Sequence, residues 1–274
     1  MKLPFKNPYL LAPMEEINDI AFRLLCKKAD CGQTYTGMIH PLTKQKISLT
    51  DYPILQMFCT SPKGVGAFIK KHESKVAGFD LNLGCPAKTA RKHSFGSFLT
   101  DLKTIEKILK TMRASTKKFL SVKIRKSANA FEILRLAEKY CDALAVHPRT
   151  QAQGYSGAPD IAFAKKIKSF SKIPIIYSGN IDEKNANQIL KIFDAVMLGR
   201  NAIGNPEIFS KLAKTKPKNL NFKNYLTLAK KYKLPFRQLK LQAMNFTKGK
   251  ENAKQLRLKI FKTKKVEELE KVEL

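Results

Sequence analysis

The sequence predicts an α/β protein, a (β/α)8 TIM barrel followed by a small all-helical C-terminal domain. Two observations carry the barrel. Eight short apolar runs recur along the first 210 residues, and segments of helical periodicity separate most of them. Continuous apolar strands alternating with helices form parallel sheets buried on both faces, and eight such units suit a closed barrel. A doubly wound open sheet is disfavoured, because no G-x-G-x-x-G follows the first strand. A third observation sets off the tail. Beyond the Pro-bearing basic stretch KTKPKNLNF (214–222) the pattern is helical only, so residues 1–213 are assigned to the barrel and 214–274 to the helical domain.

The elements follow in chain order. YLLAPM (9–14) reads as the first strand and DIAFRLLCKKA (19–29) as its helix. QTYTGM (33–38), ILQMFC (54–59) and GFDLNLG (78–84) are strands bounded by Gly, Pro or polar turns. FLTDLKTIEKILKTMRA (98–114) carries apolar residues at i, i+3, i+4 and predicts a helix. The remaining strands are FLSVKIR (119–125), DALAVHPR (142–149), IPIIYSG (173–179) and DAVMLGR (194–200). Helices FEILRLAEKY (131–140), DIAFAKKIKSF (160–170) and KNANQILKIF (184–193) lie between them. In the tail, 223–233, 236–249 and 251–262 read as helices, and KKVEELEKVEL ends the chain as a short charged one.

Bulk composition narrows the function. A chain of 274 residues with a hydrophobic fraction of 43% can bury a sizeable core. No apolar run approaches the roughly 20 residues of a membrane span, so no membrane role is expected. Five scattered cysteines (Cys26, Cys31, Cys59, Cys85, Cys141) suggest reduced thiols in a cytoplasm, and no C-x2-C or H-x3-H spacing supports a metal site. The formal charge is +30, and residues 211–274 hold 19 Lys and Arg against 5 acidic residues. A Lys-biased composition accounts for part of this. Its concentration in the tail favours contact with a polyanion such as a nucleic-acid backbone.

In such a barrel the active site lies at the C-terminal ends of the strands. Those ends carry Pro13, Met14 and Glu15, then Gln56, Asn82 with Cys85, Lys123, His147 with Arg149, Ser178-Gly179-Asn180, and Gly199-Arg200. A purely structural barrel would not need a polar residue at nearly every strand end. YSGN (177–180) and LGRNAIGNP (198–206) close the seventh and eighth strands, the usual phosphate position of this fold. Glycines there admit close backbone approach, and Arg200 can fork onto an anion. Lys123, inside an apolar strand, suits an electron-rich ring or an anion. Of the cysteines, Cys26, Cys59 and Cys141 lie in apolar runs and read as core, and Cys31 as an inert loop thiol. Cys85 alone sits on a strand-to-loop turn, before the basic residues Lys88, Arg91 and Lys92. His72, at a polar helix end, reads as solvated.

Taken together, LLAPMEEINDIAFRLLCKK, LQMF, DLNLGCPAKTARKHSFGSFL, VKIR, VHPRTQAQGYSG, SGNI and AVMLGRNAIGNPEIF closely resemble the tRNA-dihydrouridine synthases, in order over about residues 8–210. The resemblance implies an FMN enzyme that reduces particular uridines of tRNA, with NADPH (or NADH) recharging the flavin; a cytoplasmic monomer is expected. It implies that Pro13, Met14 and Glu15 lie along the flavin, that Gln56 and Lys123 hydrogen-bond its ring, and that His147 sits nearby. Ser178, Gly179, Asn180, Gly199 and Arg200 would hold the phosphate end. Asn82, Arg149 and Gln153 would address the uracil or nearby RNA, and Lys88 and Arg91 the backbone. Cys85 resembles the family's general acid. An ordinary thiol, with a pKa of about 8.5, is mostly protonated at neutral pH and can donate to carbon 5 after hydride reaches carbon 6.

One departure stands out. The family usually carries an acidic residue before the methionine of the second-strand motif, where this chain has Gly37 in YTGM, so that carboxylate's contact is expected to be missing. Two rivals share parts of the pattern. A flavin barrel acting on a free pyrimidine would not need the basic tail, and a non-catalytic RNA-binding barrel would need neither flavin nor Cys85.

Overall fold

The computed structural model describes residues 2–274. Seven strands form one parallel sheet: β1 (Tyr9–Leu11), β2 (Ile54–Met57), β3 (Gly78–Leu83), β4 (Phe119–Arg125), β5 (Ala143–His147), β6 (Ile175–Ser178) and β7 (Ala195–Leu198). Their order is β1-β7-β6-β5-β4-β3-β2. The gap between β1 and β2 is filled by residues 33–39, which bridge Leu10 on one side and Ile54 and Met57 on the other. Eight chain segments therefore close the barrel, as the eight apolar runs predict.

The eighth segment is not a regular strand, and the reason is local. Tyr35 lies opposite Ile54 but Ile39 lies opposite Met57, so one extra residue is inserted between them. That is a β-bulge. The Thr36 hydroxyl accepts from Gln56 N–H at 3.0 Å and donates to Gly37 O at 2.7 Å, which diverts the ladder at this point.

Helices α1 (Ile20–Lys28), α2 (Val65–His72), α3 (Lys88–Lys92), α4 (Leu102–Ser115), α5 (Ala130–Tyr140), α6 (Ile161–Phe170), α7 (Ala186–Leu190) and α8 (Ile208–Leu212) accompany the strands. Asp19, Asp101 and Asp160 cap α1, α4 and α6 by accepting first-turn N–H groups. The Asp101 cap explains why α4 begins at Leu102 rather than at 98. Residues Gly96–Phe98 instead form a 3-10 turn. His72 is buried at the end of α2, edge-on to Phe68 at 4.8 Å, and not solvated as its polar neighbours suggest.

The tail forms α9 (Phe222–Lys231), α10 (Phe236–Phe246), α11 (Ala253–Lys262) and α12 (Val266–Glu270). Phe222, Tyr225, Leu239, Phe246, Ile260 and Leu269 join the core that surrounds the barrel, so the two regions share apolar packing. Asp19 receives Tyr225 Oη at 3.2 Å, Gln238 Nε2 at 2.8 Å and Gln242 Nε2 at 2.9 Å. Lys248 Nζ donates to Arg200 O at 2.7 Å. The tail thus braces the loop that follows β7.

Candidate active site

Alternation along each strand decides what the barrel interior contains. Leu10, Ile54, Phe119, Ala143, Ala145, Ile176, Ala195 and Met197 belong to an inner apolar cluster distinct from the outer core. On β2, β3 and β4 the residues two steps further are polar. Gln56, Asp80 and Ser121 are register neighbours in one layer, and Asn82 and Lys123 are neighbours in the next. Asp80 accepts from Ser121 Oγ at 2.5 Å and from Gln56 Nε2 at 2.7 Å. Asn82 Nδ2 donates to Gln56 Oε1 at 2.8 Å, and Asn82 Oδ1 accepts from the N–H groups of Gly84 and Cys85 at 3.0 and 2.9 Å.

Cys85 follows directly and is the one cysteine of five that is not buried. Its carbonyl accepts from Ser97 N at 3.1 Å and Ser97 Oγ at 2.8 Å. Gly96 makes this close packing possible. Its φ is +63°, and a Cβ there would lie 2.9 Å from Cys85 Cβ.

The other side of the rim is strongly basic. Burial pulls Lys123 down to about 8, with the Arg125 charge adding to the effect and Asp80 opposing it. Among the described residues no hydrogen bond contributes to Lys123. His147 is held down to about 2 by burial and by the charges of Lys123, Arg125, Arg149 and Arg200, so its ring is neutral. Its Nε2 lies 3.1 Å from Arg149 NH1. The latter group is always a donor, so Nε2 accepts and Nδ1 carries the proton.

Arg149, the candidate contact for the uracil or nearby RNA, has its guanidinium among groups of its own loop. It is 1% exposed, and donates to Ser156 O at 3.1 Å and Gly157 O at 2.6 Å. Arg125 likewise donates to Gly84 O at 2.8 Å and Gly154 O at 2.7 Å. Together they tie the 150–157 loop to the barrel. Gln153 is exposed on that loop and accepts from Thr150 N at 2.8 Å. Tyr155 at its tip, inside VHPRTQAQGYSG but given no role by the sequence, is 60% exposed, with Arg125 and Arg200 5.3 and 5.5 Å from its ring centre.

The remaining candidates surround the same rim. Met14 Sδ lies 3.7 Å from where a Cβ on Gly199 would be, so the β1 and β7 ends meet. Gly179 packs against His147 and Pro159, beside Ser178 at the end of β6. Arg200 NH2 donates to Asn180 Oδ1 at 2.6 Å. Pro13 is half-buried beside Met14. Lys88 and Arg91 are exposed on α3, outside the rim. A cleft of about 590 Å³ lies between Glu15, Met38, His40, Phe58, His93 and Phe95, and its Met38 Sδ is 3.7 Å from Asn82 Nδ2. Glu15 Oε2 accepts from Met38 N–H at 3.1 Å, and partial desolvation raises its carboxyl. Gly37 itself carries no carboxylate, and the one beside it belongs to Glu15 at the first strand end. On α11, Leu258 and Phe261 are 55% and 73% exposed among lysines, another feature that periodicity alone does not reveal.

These residues fit a flavin. An unpaired, desolvated lysine, two amides and a neutral imidazole ring the strand ends, and an arginine stands at the β6–β7 phosphate position. Among the described residues no group of three or more His, Cys, Asp or Glu could hold a metal ion. No helix among them is long and apolar enough to cross a membrane. A closed parallel barrel with its polar residues gathered at one rim is the arrangement of a TIM-barrel enzyme. The dihydrouridine synthase (Dus) family model matches residues 10–272, and the chain belongs to that family.

Two relatives illustrate the match. The tRNA-dihydrouridine synthase B of Xanthomonas axonopodis pv. citri is 34% identical over 74% of this chain and 68% of its own length. The probable tRNA-dihydrouridine synthase of Aquifex aeolicus is 27% identical, covering 97% of this chain and 95% of its own, tail included. Solved structures resemble it in fold. The NCR variant from Zymomonas mobilis superposes with a TM-score of 0.56 at 11% identity, over 81% of this chain and 91% of that one. Morphinone reductase in complex with tetrahydroNAD gives 0.56 at 9%, over 81% and 90%.

Proposed function

We propose that the protein reduces particular uridines of tRNA to 5,6-dihydrouridine, with FMN as its flavin and NADPH or NADH as reductant. The observation that carries this reading is the meeting of Cys85, the one part-exposed thiol, with Lys123 and Asn82 at a single barrel rim, above Gln56 in the next layer. Bound FMN supplies the hydride for carbon 6 of the uracil. Pro13, Met14 and Glu15 line its ring, Gln56 and Lys123 hydrogen-bond it, and His147 stands neutral beside it. Ser178, Gly179, Asn180, Gly199 and Arg200 take the phosphate end.

Hydride addition leaves negative charge on the uracil, and carbon 5 needs a proton. Cys85 breaks its S–H bond to form that C–H bond, and the thiolate regains a proton from water. Asn82 orients the base. Arg149 acts through the 150–157 loop it holds, which carries Gln153 and Tyr155 to the rim. Extruding the base from the tRNA stack costs a few kcal/mol. Lys88, Arg91 and the basic region 214–274, read as a tRNA-binding domain, offset it through phosphate contacts. The enzyme acts in this reading as a cytoplasmic monomer.

The test is direct. The purified protein should be yellow with FMN-like absorbance, and cells lacking it should lose dihydrouridine at particular tRNA positions and regain it on complementation. Unchanged dihydrouridine in the tRNA of those cells would refute the reading.

A further inference from the structure

The barrel interior holds one carboxylate that the reaction does not use. Asp80 is fully buried, one layer below the rim and two residues before Asn82 on the same face of β3. Its register partners across the sheet are Gln56 and Ser121, and both donate to it.

An ionised carboxylate only accepts hydrogen bonds, whereas a primary amide donates at one end and accepts at the other. That difference propagates. Because Gln56 gives its Nε2 to Asp80, it presents Oε1 to Asn82. Asn82 answers with Nδ2 and is left with Oδ1 facing the N–H groups of Gly84 and Cys85. If Gln56 turned over, its NH2 would oppose that of Asn82. If Asn82 then turned as well, its NH2 would oppose two backbone N–H groups. Each link fixes the next, and the two amides are held between ends that cannot reverse, the Asp80 carboxylate on one side and the Gly84 and Cys85 N–H groups on the other.

We propose that Asp80 is a positioning residue: through Gln56 and Asn82 it helps hold the amide orientations that fix the turn presenting Cys85. The reaction it serves is the one proposed above, but the positioning itself is a property of the folded chain. Ser121 is the adjustable end of the chain, since a hydroxyl can donate or accept.

That adjustability gives two contrasting variants. In Asp80→Asn the new amide can keep Oδ1 on Gln56 and turn its NH2 to Ser121, which accepts, so the orientation survives. In Asp80→Leu the acceptor is removed. Amide hydrogen exchange at Gly84 and Cys85, measured against β5 amides in the same flavin-loaded protein, reads the turn directly and does not depend on the reaction. Removing one buried hydrogen-bond anchor should speed that exchange about tenfold in Asp80→Leu, with Asp80→Asn within about threefold of wild type. Dihydrouridine formation at saturating tRNA should fall with the exchange change, by at least about thirtyfold in Asp80→Leu, while tRNA affinity stays within about threefold. If Asp80→Leu does not fold, Gln56→Leu cuts the chain one link further on and should give the same exchange change. Unaltered relative exchange at Gly84 and Cys85 in a folded variant of either kind overturns the proposal. Wild-type protein that forms no dihydrouridine refutes the proposed reaction instead, and leaves the exchange result to decide the positioning role.

Discussion

The carboxylate of Glu15 stands against the place where a side chain at Gly37 would begin. A Cβ on Gly37 would lie 3.2 Å from Glu15 Oε2, and that same oxygen accepts the Met38 N–H freed by the bulge. The first strand end thus supplies a carboxylate where the second-strand motif has none. Two carboxylates cannot share this space without one losing its charge. Gly37→Glu alone should weaken flavin binding about tenfold through that repulsion, and Glu15→Ala/Gly37→Glu should restore most of it. Flavin titration by fluorescence checks this; a double variant no better than the single one would show that the two positions do not substitute for each other.

Lys123 trades stability for binding. Its side chain is part-exposed in an otherwise buried strand, and desolvation lowers its pKa from 10.5 to about 8 on folding. Below pH 8 both states are protonated and the cost is constant. Between about 8 and 10.5 the unfolded chain holds more protons, so stability rises with pH. Lys123→Met should therefore stabilise the flavin-free protein by roughly 1–3 kcal/mol at neutral pH while weakening flavin binding. Thermal melts with and without flavin, repeated from neutral to alkaline pH, test both signs.

His147 gives the opposite pH signature on the acid side. Its pKa falls from 6.5 to about 2 in the fold, so only the unfolded chain gains a proton as pH drops below 6.5. Stability present above 6.5 is lost progressively towards 2. His147→Gln should remove about 2 kcal/mol of the acid destabilisation between pH 6.5 and about pH 4.5. Denaturant titrations at the two pH values measure it, and equal acid sensitivity in the two proteins would contradict the burial of a neutral ring.

The tail offers a salt test. Lys254, Arg257 and Lys259 lie on α11 beside exposed Leu258 and Phe261, and no acidic residue interrupts that helix. Replacing the three cations with Ala should weaken tRNA binding at low salt. It should also reduce the slope of log K against log salt by about 0.7–0.9 for each phosphate that is no longer neutralised. An unchanged slope would place the RNA on another face.

Much of the architecture is legible in the residues alone. Eight apolar runs specify the barrel because each strand is buried on both faces, and the polar residue closing nearly every run locates the rim. What the sequence hides depends on interactions between distant residues. Asp80 looks like a lone acid in a strand until its register with Gln56 and Ser121 is known. Arg149 looks free until the carbonyls of Ser156 and Gly157 are brought to it. The irregular segment 33–39 follows from Thr36 hydrogen bonds that no periodicity encodes, and His72 is buried by a packing neighbour one helical turn away.

Cys85→Ala is the measurement closest to the proposed chemistry. The protein would be loaded with flavin, supplied with NADPH and tRNA lacking dihydrouridine, and followed for product. A general acid contributes about 10²–10⁴-fold, so product formation should fall by that order while flavin and tRNA affinities hold. Dihydrouridine formed by Cys85→Ala at the wild-type rate would contradict the assignment of Cys85 as the proton donor.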